Sequence, residues 1–312
     1  MTQERRNWRR ATAAGVAAIL AASASAVHAA DKLSVVATFS VIADMVSHVA
    51  EDRVTLATIV GPDGDSELYR PTVADAKTVA GARIVFMNGI NDEFEPWLEP
   101  LLKQAKFRGA KVVVSRGAKV LAGAEETSPT GKPRPASLDQ HAWLDPKNGI
   151  VYVKNIAEAL AKHDPANGET YRARAAAYTD ALKAVDAWAK SEMAAIPPAK
   201  RRIITSHDSL EYLAKAYDVR LISINGWTNN AEPSAAELAR LTQQIRQEKV
   251  RALFLDSITD PRAMQRISQE TGVQIGDTLY GDSLSKPGGV ADTYIKMIRH
   301  DIAALKAGMQ KN

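Results

Sequence analysis

The sequence predicts an α/β fold of two lobes, each a small parallel sheet flanked by helices, joined by one long connecting helix. Three observations lead there. Short Val- and Ile-rich runs alternate with helical periodicity between residues 33 and 115. The same grammar returns between residues 202 and 279, and between the two, after Gly168, lies a long helical stretch without Gly or Pro. Alternating strand and helix units imply parallel pairing, because each helix carries the chain back to the starting end of the sheet.

In the first half, Leu33–Thr38, Val54–Val60, Arg83–Met87 and Lys111–Ser115 read as buried strands. A helix is predicted around Val41–Ala50, and another opens at Thr72 with Gly81 just past its end. In the second half the strands are Arg202–Thr205, Val219–Ile224, Arg251–Asp256 and Val273–Leu279. Ser234 with Glu237 has the spacing of a capping box, and Asp260-Pro261 starts a helix that Gly272 stops. From about Asn167 to Ile196 the residues Tyr171, Ala175, Tyr178, Leu182, Val185 and Ala189 recur at three-to-four spacing, and Pro197-Pro198 ends the run. At 1.5 Å per residue this helix spans roughly 40 Å, enough to act as a spine between lobes. Residues 116–140, with four glycines and prolines between Gly123 and Pro133, read as a flexible surface loop. The predicted organisation is a leader over 1–30, an N-terminal lobe over 31–165, a linking helix over 166–197 and a C-terminal lobe over 198–312.

The leader rests on an Arg-rich start, an apolar Ala-rich stretch from Ala11 to Leu20, and small residues ending in Val27-His28-Ala29-Ala30. Cleavage near Ala29 or Ala30 is predicted; the stretch is too short and Ala-rich to span a membrane comfortably. The paired arginines raise a twin-arginine route beside the general secretory one, although Arg9 and Arg10 after Trp8 fit it poorly. The 312 residues carry a net charge of +4, but residues 1–30 hold four arginines and one acid. The remainder has 36 basic and 35 acidic residues, a net charge of +1. No basic surface therefore argues for a nucleic-acid partner. There is no cysteine. Disulfides and a cysteine-linked lipid anchor are thus not expected, and the reading is of a monomer free in the periplasm.

Five histidines follow the leader. His48, one helical turn after Asp44, and His163 and His300, in helices beside charged neighbours, read as surface or core residues. His141 and His207 differ. His207 follows the strand Arg202–Thr205 directly, where a side chain faces the crevice in which α/β folds bind ligands. Glu67 follows Val54–Val60 and Asp282 follows Val273–Leu279 in the same way, while His141 comes after the Gly/Pro-rich loop. Four donors thus fall at four loops, two in each half. Two imidazoles and two carboxylates can close a shell around Zn²⁺ or Mn²⁺; the plainer alternative is a set of solvated loop residues. No catalytic residue is assigned. A metal-dependent hydrolase using an open coordination position is the alternative function, and the chain has no H-E-x-x-H, no G-x-S-x-G and no phosphate-cradling glycine loop.

From about residue 31 to 310 the chain resembles the zinc/manganese-type solute-binding proteins of metal ABC importers, a group that includes periplasmic metal-binding lipoproteins and adhesin-like members. The segments that carry the resemblance are Gly61-Pro62-Asp63-Gly64-Asp65 with Tyr69 and Pro71, then His141-Ala142-Trp143-Leu144-Asp145-Pro146, then Ile204-Thr205-Ser206-His207-Asp208. They continue through Glu232-Pro233-Ser234, Thr259-Asp260-Pro261-Arg262, Glu270-Thr271-Gly272 and Leu279-Tyr280-Gly281-Asp282-Ser283-Leu284. The resemblance implies two lobes joined by a long helix, a metal ion between them, and an ABC-type permease in the inner membrane as partner. It implies His141, His207 and Asp282 as the second, third and fourth ligands.

The first departs from the pattern: Glu67 stands where members usually have histidine, and it either ligates or leaves three ligands and a water. A histidine at the third position is the zinc-type choice and a second carboxylate the manganese-type one; on balance Zn²⁺ is favoured over Mn²⁺. The loop 116–140 has no histidine, so the metal-gathering tract of zinc-type members is absent. Asp208, Asp145 or a backbone carbonyl is expected to accept the outer N–H of a ligating imidazole. Arg262 and Lys286 are candidates to balance charge. An adhesin built on this scaffold would need the anchor cysteine that the sequence lacks.

Overall fold

In a computed structural model, which describes residues 32–122, 137–222 and 235–312, the apolar run Leu33–Phe39 forms β1, one of the two inner strands of a parallel sheet ordered β2-β1-β3-β4. Val35, Val36 and Ala37 are fully buried because helices cover both faces of this strand. Val36 lies opposite Ala57 of β2 (Val54–Val60) and Val85 of β3 (Ile84–Met87), and β4 (Ala110–Val113) completes the sheet. The chain turns straight from β1 into α1 (Ser40–Ala50) with no loop between them. α2 (Val73–Ala80) opens on a complete capping box in which Thr72 and Asp75 satisfy each other's backbone N–H. Gly81 ends it with right-handed φ of −85°, so the left-handed freedom of glycine is not used there. α3 (Leu98–Gln104) precedes β4, and α4 (Pro146–His163) is capped by Asp145, whose Oδ1 accepts the Lys147 N–H at 2.9 Å.

The second sheet is ordered β6-β5-β7, with β5 (Arg202–Thr205) between β6 (Arg220–Ile222) and β7 (Leu253–Phe254), all parallel. α6 (Glu211–Ala216), α7 (Ala235–Glu248) and α8 (Arg262–Thr271) accompany it. Gly272 does stop α8 in the left-handed conformation, φ 71°. The sequence overestimates this sheet. Val273–Leu279 is not a fourth strand but touches β7 and its extension only at the bridges Leu253–Ile275 and Asp256–Leu279. Three residues advance on one chain against four on the other, so the ladder is interrupted as at a β-bulge. The remainder of the Val219–Ile224 run and Ser234 of the expected capping box lie outside the described residues, as do the leader and most of the 116–140 loop; the described ends of that loop meet at an antiparallel bridge, Ala122–Leu138.

The long helix is present as α5, Gly168–Ala194, 27 residues. Every apolar position picked out by its periodicity is buried, and Met193 extends the stripe. α5 packs on α1 and α4 from the first half and on α9 (Tyr294–Met309) at the end of the chain. One apolar cluster consequently runs from β1 through α5 to Phe254, Leu279 and α9. A smaller one fills the space between the second sheet, α7 and α8. Burial of this stripe, not the intrinsic propensity of its residues, holds a helix of such length in one conformation. Leu182→Ala, at a fully buried position, is expected to lower unfolding free energy by roughly 2–5 kcal/mol in urea titrations, whereas Lys183→Ala on the solvated face should stay within about 0.5 kcal/mol.

Candidate metal centre

Each of the four donors is presented by a loop whose backbone is fixed by side-chain bonds. After β2 the chain turns at Gly61–Gly64, where Gly64 N–H donates to Gly61 O and a Cβ on Gly64 would stand 2.7 Å from Val60 Cγ1. Asp65 Oδ1 then accepts the N–H groups of Glu67 (2.8 Å) and Leu68 (3.1 Å), an Asx turn that aims Glu67 inward. Trp97 Nε1 holds the Ser66 carbonyl at 2.7 Å from behind. His141 begins a short 3-10 turn, and Asp139 Oδ1 accepts both its backbone N–H (2.9 Å) and its ring Nδ1 (2.8 Å). His207 stands two residues past β5, its carbonyl held by Thr205 Oγ1 at 2.8 Å. Asp282 follows Gly281, where a Cβ would meet Ser209 Oγ at 2.4 Å and Asp256 Oδ2 at 2.7 Å, so any larger residue would have to displace these buried side chains.

The Asp282 loop is bonded chiefly to the first half of the chain. Trp143 Nε1 donates to Gly281 O at 2.8 Å, Leu284 N–H to Ser40 Oγ at 2.9 Å, and Asp63 N–H to Leu284 O at 2.9 Å. Tyr294, at the start of α9, donates its N–H to Asp44 Oδ2 at 3.0 Å and its hydroxyl to Trp143 O.

These loops bring Glu67, His141, His207 and Asp282 together, one ligand atom of each lying within 4.8 Å of all the others. His207 Nε2 stands 3.1 Å and His141 Nε2 3.4 Å from the Asp282 oxygens, and His141 Nε2 is 3.9 Å from Glu67 Oε1. None of the Asp282 oxygens or the two Nε2 atoms makes an angularly sound hydrogen bond, although all are buried. Buried polar atoms that converge without bonding to one another point at a shared occupant. The donor set, two nitrogens and two carboxylates at such spacing, suits a four-coordinate divalent cation.

Electrostatics follow from burial. Glu67 is pushed up to about 7, first by desolvation and then by Asp282. Burial alone would lower both imidazoles, but Asp282 together with Asp139 at His141, and with Asp256 and Glu67 at His207, outweighs it, so that they rise to about 9 and about 10. Asp282 runs the other way: burial opposes its ionisation, yet the two imidazoles hold it below the usual carboxylate range.

The outer partner of His141 is Asp139, which sequence reasoning passed over in favour of Asp145 and Asp208; Asp145 is instead the cap of α4. An Asp two residues before the histidine was the available signal. Gln140, whose Nε2 donates to Glu67 Oε1, was also missed. Arg262 pairs with Asp260 at 2.7 Å on the surface, and the exposed Lys286 lies 3.6 Å from Asp63, so neither balances the cluster as expected. His48 stacks on Tyr178 with its Nδ1 2.9 Å from Asp44 O, and His300 Nε2 is 2.8 Å from Thr278 O; both serve packing.

A family model described as zinc-uptake complex component A, periplasmic, matches residues 35–308. The manganese ABC transporter substrate-binding lipoprotein PsaA of Streptococcus mitis is 34% identical over 284 residues, 90% of this chain and 90% of that one. The iron ABC transporter substrate-binding lipoprotein MtsA of Streptococcus pyogenes serotype M1 is 36% identical over 287 residues, again 90% of each. Among solved structures, the periplasmic zinc binding protein TroA from Treponema pallidum superimposes with a TM-score of 0.79 at 27% identity, over 89% of this chain and 99% of that one. These relatives are named for three different metals. Among the described residues no helix is long and apolar enough to cross a membrane.

Two expectations follow from the geometry. Asp139→Ala frees the His141 ring and its tautomer, and should weaken divalent-metal binding about 10–100-fold in chelator competition. For Glu67, His141 and His207 the folded, metal-free values lie above the ordinary 4.5 and 6.5, so between about pH 4.5 and 10 the folded chain holds more protons than the unfolded one. Their contribution to stability is present in mild acid and lost as pH rises through that window. The thermal midpoint of protein held in chelator should therefore decline from neutral to alkaline pH; a rise would contradict the pairing described.

Proposed function

Because the chain belongs to the periplasmic zinc-uptake complex component A family, we propose that it captures one divalent transition-metal ion, Zn²⁺ in preference to Mn²⁺, and delivers it to an ABC permease in the inner membrane. Family members are substrate-binding components of transporters and not enzymes, and the hydrolase alternative has no support among them. The observation that carries the reading is the convergence of Glu67, His141, His207 and Asp282 on one point.

The ion is cargo. It enters without its waters, and two carboxylates cancel its charge while two neutral imidazoles complete the shell. The assembly is then electrically balanced, which is the condition for burying it. Asp139 accepts the Nδ1–H of His141 and so leaves the Nε2 lone pair for the metal. In the metal-free protein the imidazoles carry protons, so capture exchanges protons for metal and weakens in acid. Two nitrogens in a four-donor shell favour zinc over manganese by the Irving–Williams order. The lobes are taken as 31–165 and 198–312 with 166–197 between them, in a monomer that works in the periplasm. The burial of α5 along its length favours a small displacement of the lobes over wide hinge bending on the permease.

Protein isolated from the periplasm should contain stoichiometric metal by elemental analysis, and added Zn²⁺ should raise the midpoint of stripped protein. Calorimetry in buffers of different ionisation enthalpy should register release of between about two and three protons per ion at neutral pH, two from the rings and the rest from Glu67. Glu67→Ala and His141→Ala should each lose more affinity than the roughly 10–100-fold of an outer-shell change. Metal-free isolates whose midpoint ignores both Zn²⁺ and Mn²⁺ would sink the assignment.

A further inference from the structure

Glu67 is a long carboxylate with three rotatable bonds at a position where a rigid ring would define the site more sharply. Its neighbour across the chain is Gln140, whose side-chain Nε2 donates to Glu67 Oε1, the same oxygen that faces His141 Nε2 at 3.9 Å. Gln140 is itself buried, 8% exposed. Its backbone is fixed from below: Asn88 Nδ2 donates to the Gln140 carbonyl at 2.8 Å. Asn88 in turn accepts from the hydroxyls of Tyr152 (2.5 Å) and Ser115 (2.6 Å) and donates its N–H to the Glu95 carboxylate at 3.1 Å. The amide therefore reaches Glu67 from a backbone held by a fully engaged Asn88; its own Oε1 has no hydrogen-bond partner among the described residues, so the bond to Glu67 is what fixes the amide, and that donor on one oxygen restricts how the carboxylate can turn.

We propose that Gln140 is a positioning and specificity-determining residue: it holds Glu67 to the site as a one-oxygen ligand and so biases the shell toward four-coordinate Zn²⁺. The proposal rests on the reading that Glu67 ligates. A carboxylate free to rotate presents both oxygens and raises the coordination number, which suits a harder cation such as Mn²⁺ that takes six ligands; Zn²⁺ gains nothing from the extra oxygen in a closed tetrahedral shell. With its oxygen held by the amide, Glu67 imitates the single donor atom of an imidazole.

The test measures Zn²⁺ and Mn²⁺ affinities by chelator competition at one pH for the wild type, Gln140→Ala, Gln140→Met, Glu67→Ala and the double variant Gln140→Ala/Glu67→Ala. Co²⁺ serves as a spectroscopic probe, since its visible absorption weakens as coordination rises above four. Removing the amide should lower Zn²⁺ affinity about tenfold, leave Mn²⁺ affinity unchanged or raised, and weaken the Co²⁺ band. In the Glu67→Ala background the same change should do nothing, because Gln140 acts through Glu67. A zinc-to-manganese ratio unmoved in both Gln140 variants overturns the proposal, as does an equal loss with and without Glu67. If Glu67→Ala alone leaves Zn²⁺ affinity and the Co²⁺ spectrum intact, Glu67 is not a ligand, and both readings fall together. Gln140→Met keeps the bulk of the side chain, so it supplies the answer if the alanine variant does not fold.

Discussion

A carboxylate cut off from water has to be balanced, and in this protein the balance is struck at Asp282. Its side chain has no exposed surface, and neither oxygen makes a well-directed hydrogen bond. An isolated charge in that position would cost several kcal/mol and would simply take up a proton. Asp282 does the opposite because two imidazoles stand beside it. On the proposed function, the arrangement holds either protons on the rings or a divalent ion among the donors. Everything around it, from the Asp65 turn to the glycine at 281, keeps the donors close enough for both.

The fold supplies those positions at the carboxyl ends of parallel strands. His207 comes two residues past β5, where the chain leaves the sheet, and Glu67 comes after β2 and the turn at Gly61–Gly64. α5 keeps the two sheets in one continuous core, so donors from distant parts of the sequence meet without any cross-link. The chain has no cysteine, and burial along α1, α4, α5 and α9 does the work a disulfide would do elsewhere.

Much of this was legible before any coordinates. The first sheet matches its four predicted runs to within about two residues, since continuous Val and Ile runs leave little alternative for a strand covered on both faces. The spine was legible because its apolar stripe has helical spacing and no breaker for its whole length. The second sheet was harder. Val273–Leu279 has strand composition, and nothing in its residues announces the one-residue mismatch with β7. At the site three of the four donors could be picked from their places after predicted strands, and His141 from its place after the Gly/Pro-rich loop and the family resemblance, whereas their supporting shell could not. Asp139 and Gln140 act through hydrogen bonds whose partners are set by loop conformation. Arg262 and Lys286 were chosen by charge alone, and charge does not say which way a surface side chain leans.

The bonds that tie Gly281, Ser283 and Leu284 to Trp143, Gly61 and Ser40 redraw the line between the halves. By order along the chain the donors divide two and two; by attachment they divide three and one, with His207 alone arriving from beyond that line. A parting of the molecule along its bonded boundary would strip the cargo of a single imidazole and leave a half-open cradle of three donors. Unloading would then proceed in stages, its first step a matter of one nitrogen.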